Sequence, residues 1–221
     1  MATLSEFFEK NGIYRCVHFD DFEWQNHGFG SRQANPAANI TLRQVHSDLV
    51  WNAQGLRDRE YEGDALISAV PGHAIGVRTA DCVPILLLDP LNRAVAAVHA
   101  GWRGSAARIL ERTVSKLYED FKTNPVQLRA AIGPAIRVCC YEVTSDVADR
   151  FIDWPESIHS TFGKPHLDLP AANRIQLIRS GVLPHHIYDS GLCTSCNLDR
   201  FFSFRREPAN PGRMVSAIAR V

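Results

Sequence analysis

An α+β fold, with strands gathered ahead of its main helices, is what this sequence predicts, and three observations carry it. Four short apolar runs crowd between positions 64 and 100, each one strand long and bounded by Gly, Pro, Asp or Asn. Helical periodicity follows at once, with Leu110, Val114, Leu117, Tyr118 and Phe121 recurring on one face. The tail then returns to strand-like alternation. A chain of 221 residues can bury a core without staples, and no repeat, low-complexity tract or linker divides it. One domain over 1–221 is the simplest organisation.

In chain order, the stretch 25–39 (QNHGFGSRQANPAAN) shows no apolar period and reads as loop. DALISA (64–69), AIGVRT (74–79), PILLLD (84–89) and AVAAVHA (94–100) are the strands. Ser105 stands where it can cap a helix running to Phe121. VQLRAAI (126–132) alternates like a half-buried strand that Gly133-Pro134 ends. A helix is expected from Thr144, and another over LPAANRIQLIRSG, with Pro170 near its start and Gly181 just past its last apolar turn. FFSFRR (201–206) and RMVSAIARV (213–221), separated by PANPG, read as a terminal hairpin.

Composition narrows the function classes. Hydrophobic residues are 45% and charged residues 22%, which excludes a disordered or fibrous chain. Lys plus Arg equals Asp plus Glu at 24 each, so no global field draws the chain to nucleic acid or an anionic membrane. The opening MATLSEFFEKNGIYR lacks a long apolar stretch, so neither a leader nor a spanning helix is expected there, and the expected compartment is the cytoplasm. Cys16, Cys82, Cys139, Cys140, Cys193 and Cys196 are accordingly read as reduced thiols.

Chemistry concentrates in RQVHS (43–47), RTADCVP (78–84) and AVHAGWRG (97–104). Each places one metal-ligand type, His46, Cys82 or His99, at or just past the end of an apolar run. Imidazole and thiolate suit zinc, and three protein ligands leave a fourth position open for catalysis. Spacing alone favours the ordinary reading, with His46 a surface residue, Cys82 a core thiol and His99 a satisfied core histidine. Asp81, beside Cys82, is a candidate general acid/base or ligand-orienting carboxylate. Gly101 and Gly104 flank Trp102-Arg103, which offers close backbone approach, a flat ring and a guanidinium. Arg43, Arg78 and Arg103 are the candidate anion contacts. A Cys82 nucleophile with His99 as base is an alternative chemistry, and a zinc-binding protein without turnover is another.

Over these residues the chain resembles the YfiH family of laccase-domain, polyphenol-oxidoreductase-like proteins. The carrying stretches are QVHSD, GDALIS, TADCVPILL, AVAAVHAGWRG, AAIGPAI followed by YEV, DLPAANRIQL, and CTSCNLDRFFSFRR followed by GRM. The resemblance implies a layered α/β/β/α sandwich like that of deamidase toxins, and zinc held by His46, Cys82 and His99. It also implies phosphorolysis of purine nucleosides, with purine nucleoside and phosphate as partners and adenosine deamination as an added activity. The region of about 26–41 is shorter than the family's pattern, lacking its SLNLG-like stretch and the following helix. Copper oxidase chemistry, the family's older label, is disfavoured because the nine histidines form no His-x-His cluster. Cys193-x-x-Cys196 is read as a structural thiol pair, because Cys139 and Cys140, being adjacent, look poorly placed to complete one tetrahedron with it.

Overall fold

The computed structural model describes residues 6–209 and 211–221. In chain order these form β1 (Phe7–Lys10), β2 (Ile13–Cys16), α1 (Val17–Asp20), β3 (Gln25–Phe29), β4 (Val50–Asn52), β5 (Ala65–Ser68), β6 (Ala74–Thr79), β7 (Val83–Asp89) and β8 (Ala94–Ala100). There follow α2 (Trp102–Ala106), α3 (Ile109–Phe121), β9 (Arg129–Ile132), α4 (Ser145–Ala148), β10 (Ile158–Thr161), β11 (Lys164–Leu167), α5 (Leu169–Arg179), β12 (Ile187–Asp189) and β13 (Met214–Arg220). A five-stranded sheet in the order β1-β2-β3-β13-β6 faces a six-stranded sheet in the order β12-β9-β7-β8-β5-β4, and β10-β11 form a separate hairpin.

Two apolar layers explain why the central strands read as unbroken hydrophobic runs. Leu66, Leu86, Leu88, Val95 and Ala97 pack toward Phe29, Ile75, Val77 and Ile218 of the other sheet. The alternate residues Ile67, Ile85, Leu87, Ala96 and Val98 meet Leu110, Val114 and Leu117 of α3 and Leu169 and Leu177 of α5. The result is a mixed α+β fold, sheet on sheet with the larger helices outside the six-stranded one. No helix of the described residues is long and apolar enough to cross a membrane.

Several elements depart from expectation, each for a physical reason. QNHGF at the head of the expected loop is β3, a central strand whose polar residues bond inside the protein. His27 accepts from the backbone N–H of Cys16 at 2.9 Å and its other ring nitrogen meets Gln25 Oε1 at 3.0 Å. Burial, with the nearby Arg15 charge, pushes the His27 pKa down to about 3, so it stays neutral. Helix α3 starts at Ile109, because Arg108 takes a left-handed φ of 64° after the short α2. Ser105 is therefore no cap; its hydroxyl lies buried within α2 and accepts from Asn173 Nδ2 at 3.0 Å. In 126–132 only Arg129–Ile132 is strand, since Asn124 and Pro125 start a short 3-10 turn in which Asn124 accepts from the backbone N–H of Val126. Thr144 stands at the N-cap of α4, which is a single turn. Helix α5 begins as Pro170 suggested, with Asp168 accepting from the backbone N–H of Ala171 at 3.0 Å, and Gly181 follows at φ 96°.

The terminal hairpin does not form. Strand β13 lies between β3 and β6 instead, and 201–206 is held by side-chain hydrogen bonds in place of a ladder. Arg206 donates to the carbonyls of Thr194, Ser195 and Phe201. The expected turn PANPG contains Asn210, which lies outside the described residues. Cys139 and Cys140 also correct their reading, because both sulfurs reach the Cys193–Cys196 pair.

Candidate active site and metal centre

The antiparallel register of β7 and β8 begins the site. Val83 pairs with Ala100 and Pro84 with His99, so Cys82 and Gly101 stand opposite each other just beyond the ladder. Residues 80–82 link β6 of one sheet to β7 of the other, with Asp81 at φ 87° in the left-handed region. His46 enters from the irregular segment between β3 and β4, also left-handed at φ 59°. Gln44 seats that segment on β6, donating to the Arg78 carbonyl at 2.8 Å and accepting from the Arg78 N–H at 2.7 Å. The ligating atoms of His46, Cys82 and His99 consequently lie within 4.8 Å of one another.

Asp64, which sequence reasoning missed, organises the two histidines. Fully buried, it bonds His99 Nδ1 at 2.7 Å and accepts from the backbone N–H groups of His46 and Ser47 and from the Ser47 hydroxyl. Burial opposes its charge, yet the bonds from His99 and Ser47 outweigh it and hold the carboxyl below the usual range. With Nδ1 committed to Asp64, His99 turns Nε2 toward the cluster, as metal-binding histidines do. The signal was the GDALIS stretch, where an acid stands just before a buried strand.

Electrostatics ready the trio for a cation. Burial raises the Cys82 thiol, but the His99 charge and hydrogen bonds from both histidines more than reverse this and bring it down to about 6. Burial likewise opposes protonation of His99, yet Cys82 and Asp64 lift it to about 9. Cys82 Sγ lies 3.9 Å from His46 Nε2. Tetrahedral zinc would place a sulfur and an imidazole nitrogen about 3.5 Å apart, so one thiolate and two imidazoles at this spacing fit the ion.

Gly101 makes that approach possible. A Cβ there would stand 2.9 Å from His46 Cδ2 and 3.1 Å from Cys82 Sγ, although its backbone suits any residue. Gly101→Ala is expected to keep the fold and weaken metal binding about 10-fold or more, the cost of displacing packed ligands by one methyl. Metal competition against a chelator measures it.

A cavity of about 730 Å³ opens over the trio. Arg78 and Arg103 line it as expected, while Arg43 is absent from the lining and faces Glu62 at 3.9 Å. Arg59, Arg205 and Arg213 line it as well. Aromatic faces come from Trp102, Tyr141 and Phe204, with Arg103 Cζ 4.2 Å from the Trp102 ring and Arg205 Cζ 5.3 Å from that of Tyr141. Burial and the nearby Cys82 charge push the Tyr141 hydroxyl well above its ordinary range. Asp81 is tied into the wall, where its oxygens accept from Thr194 Oγ1 at 2.6 Å, Ser203 Oγ at 3.0 Å and the Arg205 N–H at 2.7 Å.

A family model described as multi-copper polyphenol oxidoreductase laccase matches residues 26–221. A purine nucleoside phosphorylase of Deinococcus radiodurans is 41% identical over 217 residues, covering 94% of this chain and 83% of that protein. A purine nucleoside phosphorylase of Bacteroides thetaiotaomicron is 40% identical over 161 residues, which is 70% of this chain but only 60% of that protein. Adenosine deaminase RL5, from an unknown prokaryotic organism, is 39% identical over 82% of this chain and 74% of its own length. The crystal structure of the hypothetical protein YfiH of Bacillus licheniformis superimposes with a TM-score of 0.88 at 26% identity, covering 98% of this chain and 99% of that one.

Proposed function

The chain belongs to the multi-copper polyphenol oxidoreductase laccase family, and we propose that within it the chain is a zinc-dependent purine nucleoside phosphorylase. The observation that carries this reading is the His46, Cys82 and His99 trio at the floor of an arginine-lined, aromatic-walled cavity. The names of the similar proteins give the substrate class. A volume of about 730 Å³ accommodates a molecule of nucleoside size together with phosphate.

His46, Cys82 and His99 would hold zinc, which supplies a Lewis acid and, at neutral pH, an activated water. A phosphate oxygen attacks the ribose anomeric carbon while the bond to the purine nitrogen breaks, its electron pair leaving with the base. Arg78 and Arg103 are suited to hold the phosphate, and Arg59 adds to the positive field. Trp102, Tyr141 and Phe204 offer flat faces to the purine. Tyr141 keeps its proton, so its hydroxyl can donate toward charge developing on the leaving base. Asp81 positions the Arg205 backbone through the hydrogen bonds described above.

Adenosine deamination is a second reading, favoured by the similarity to Adenosine deaminase RL5. Asp81, which already accepts three hydrogen bonds, would carry a proton in that reaction on the lone pair of Oδ1 that they leave free. Multi-copper oxidation fits the donor set poorly. It needs further histidine-rich centres, and among the described residues the other cluster of ligating side chains is all cysteine.

The test is chromatographic product analysis with adenosine or inosine, with and without phosphate. Free base plus ribose 1-phosphate, formed only with phosphate, is the expected result; base released equally without phosphate, or no turnover of the zinc-loaded protein, overturns the reading. Zinc affinity should also depend on pH. In the metal-free protein Cys82 is a thiolate above about 6, while His99 keeps its proton up to about 9. Between these values binding must release the His99 proton, so apparent affinity should rise about tenfold per pH unit, and more steeply below, where Cys82 must also lose one. Competition titrations at several pH values check this.

A further inference from the structure

Away from the His46, Cys82 and His99 trio, four thiols that the proposed reaction does not use converge at one point. Among the described residues, the sulfurs of Cys139, Cys140, Cys193 and Cys196 all lie within 4.8 Å of one another. Cys196 Sγ is 3.6 Å from Cys139 Sγ and 3.3 Å from Cys140 Sγ. Zinc–sulfur bonds of about 2.3 Å at tetrahedral angles place neighbouring sulfurs about 3.8 Å apart. An iron–sulfur cluster spreads its cysteines over several irons and would hold them wider.

We propose that Cys139, Cys140, Cys193 and Cys196 form a second metal centre, a structural tetrathiolate site for one zinc ion.

The backbone is built for convergence. Cys140 and Tyr141 both donate to the Arg137 carbonyl, at 2.9 and 3.0 Å, and this tight turn brings two adjacent cysteines to one side. Across from it, Asn197 donates through both its backbone N–H and its side-chain amide to the Cys193 carbonyl, closing the loop that carries Cys193 and Cys196. The two loops are laced together by Ala135 donating to the Leu192 carbonyl and Thr194 donating to that of Ala135.

Charge and place agree with this reading. Four thiolates around zinc leave a net charge of −2, and two guanidinium groups anchor on these same loops. Arg205 donates to the carbonyls of Cys140 and Glu142, and Arg206 to those of Thr194 and Ser195. Four such ligands leave no open position, so the centre is structural. Its role is to clamp together the segments that deliver Tyr141, Arg205 and the Thr194 hydroxyl, which pins Asp81, to the wall of the cavity.

The test compares zinc per chain, by native mass spectrometry, in the unaltered protein and in Cys139→Ser/Cys196→Ser. A loss of one ion per chain is expected whatever the first site holds; an unchanged count overturns the proposal. Should that variant fail to fold, His46→Ala/His99→Ala leaves the four thiols intact. Loaded with Co²⁺, it should bind one ion and give the sulfur-to-cobalt charge-transfer band of a four-thiolate site, with all four cysteines protected from alkylation until a chelator is added. Absence of that band, or recovery of a metal-free disulfide between the two loops from protein prepared under reducing conditions, overturns it. Because the readouts are metal count and thiol protection, the outcome is independent of whether the protein phosphorolyses nucleosides.

Discussion

His99→Ala is expected to release the zinc of the His46, Cys82 and His99 trio and reduce turnover about a thousand-fold or more. That magnitude follows from losing about 4 kcal/mol of transition-state stabilisation, the scale of a well-placed Lewis acid. The fold should survive, because the apolar layers that hold the two sheets and α3 together are built from other side chains than that of His99. A thiol nucleophile with His99 as base predicts the same loss of turnover, so the variant is read beside His46→Ala. Removing His46 takes away a metal ligand but leaves Cys82, His99 and Asp64 in their hydrogen-bonded row. Both variants should therefore lose zinc and turnover together. Retained activity in His46→Ala would favour the nucleophile.

Asp64→Asn carries the second large effect. Its buried carboxylate receives His99 Nδ1, three backbone N–H groups of the His46 segment (Val45, His46 and Ser47) and the Ser47 hydroxyl. An asparagine keeps one acceptor oxygen but turns an N–H₂ toward donors, which strands at least one of them and removes the charge that orients His99. Zinc affinity should fall about 10- to 100-fold, the usual effect of losing the carboxylate behind a metal-bound imidazole. Thermal stability should drop as well, by about 1–3 kcal/mol for each buried donor left unpaired. Asp64 acts through the ligands without touching substrate, so turnover should recover at saturating zinc. If it stays low at full occupancy, Asp64 has a role in the reaction beyond positioning.

Much of the site was legible because its ligands sit at strand ends. The runs 84–89 and 94–100 are apolar on both faces, which marks central strands, and the ligand types at their edges, Cys82 just before the first and His99 near the end of the second, lie toward one rim of the sheet. His99 and Cys82 stand out on that ground. Asp64 did not, because a single carboxylate before a strand looks like any turn residue until the register of β5 and β8 brings it beside His99. The same logic hid β3. Gln25 and His27 are polar by composition yet bond each other and neighbouring backbone inside the protein, and hydrophobic patterning carries no trace of such pairing. The terminal hairpin failed for the converse reason, since FFSFRR alternates like a strand while Asp81 and the carbonyls near Thr194 capture its donors. Arg59, Arg205 and Arg213 reach the cavity from three separate segments, a convergence that only long-range folding creates.

The most direct test follows Cys82 and turnover together while zinc is titrated into chelator-stripped protein supplied with inosine and phosphate. Alkylation is read peptide by peptide, so that Cys82 is separated from the cysteines at 139, 140, 193 and 196. Protection of Cys82 and production of ribose 1-phosphate are expected to rise in parallel and to saturate at the same occupancy. If Cys82 is alkylated equally fast in stripped and zinc-loaded protein, with turnover present before zinc is added, the metal-ligand account is contradicted and Cys82 acts as a free thiol.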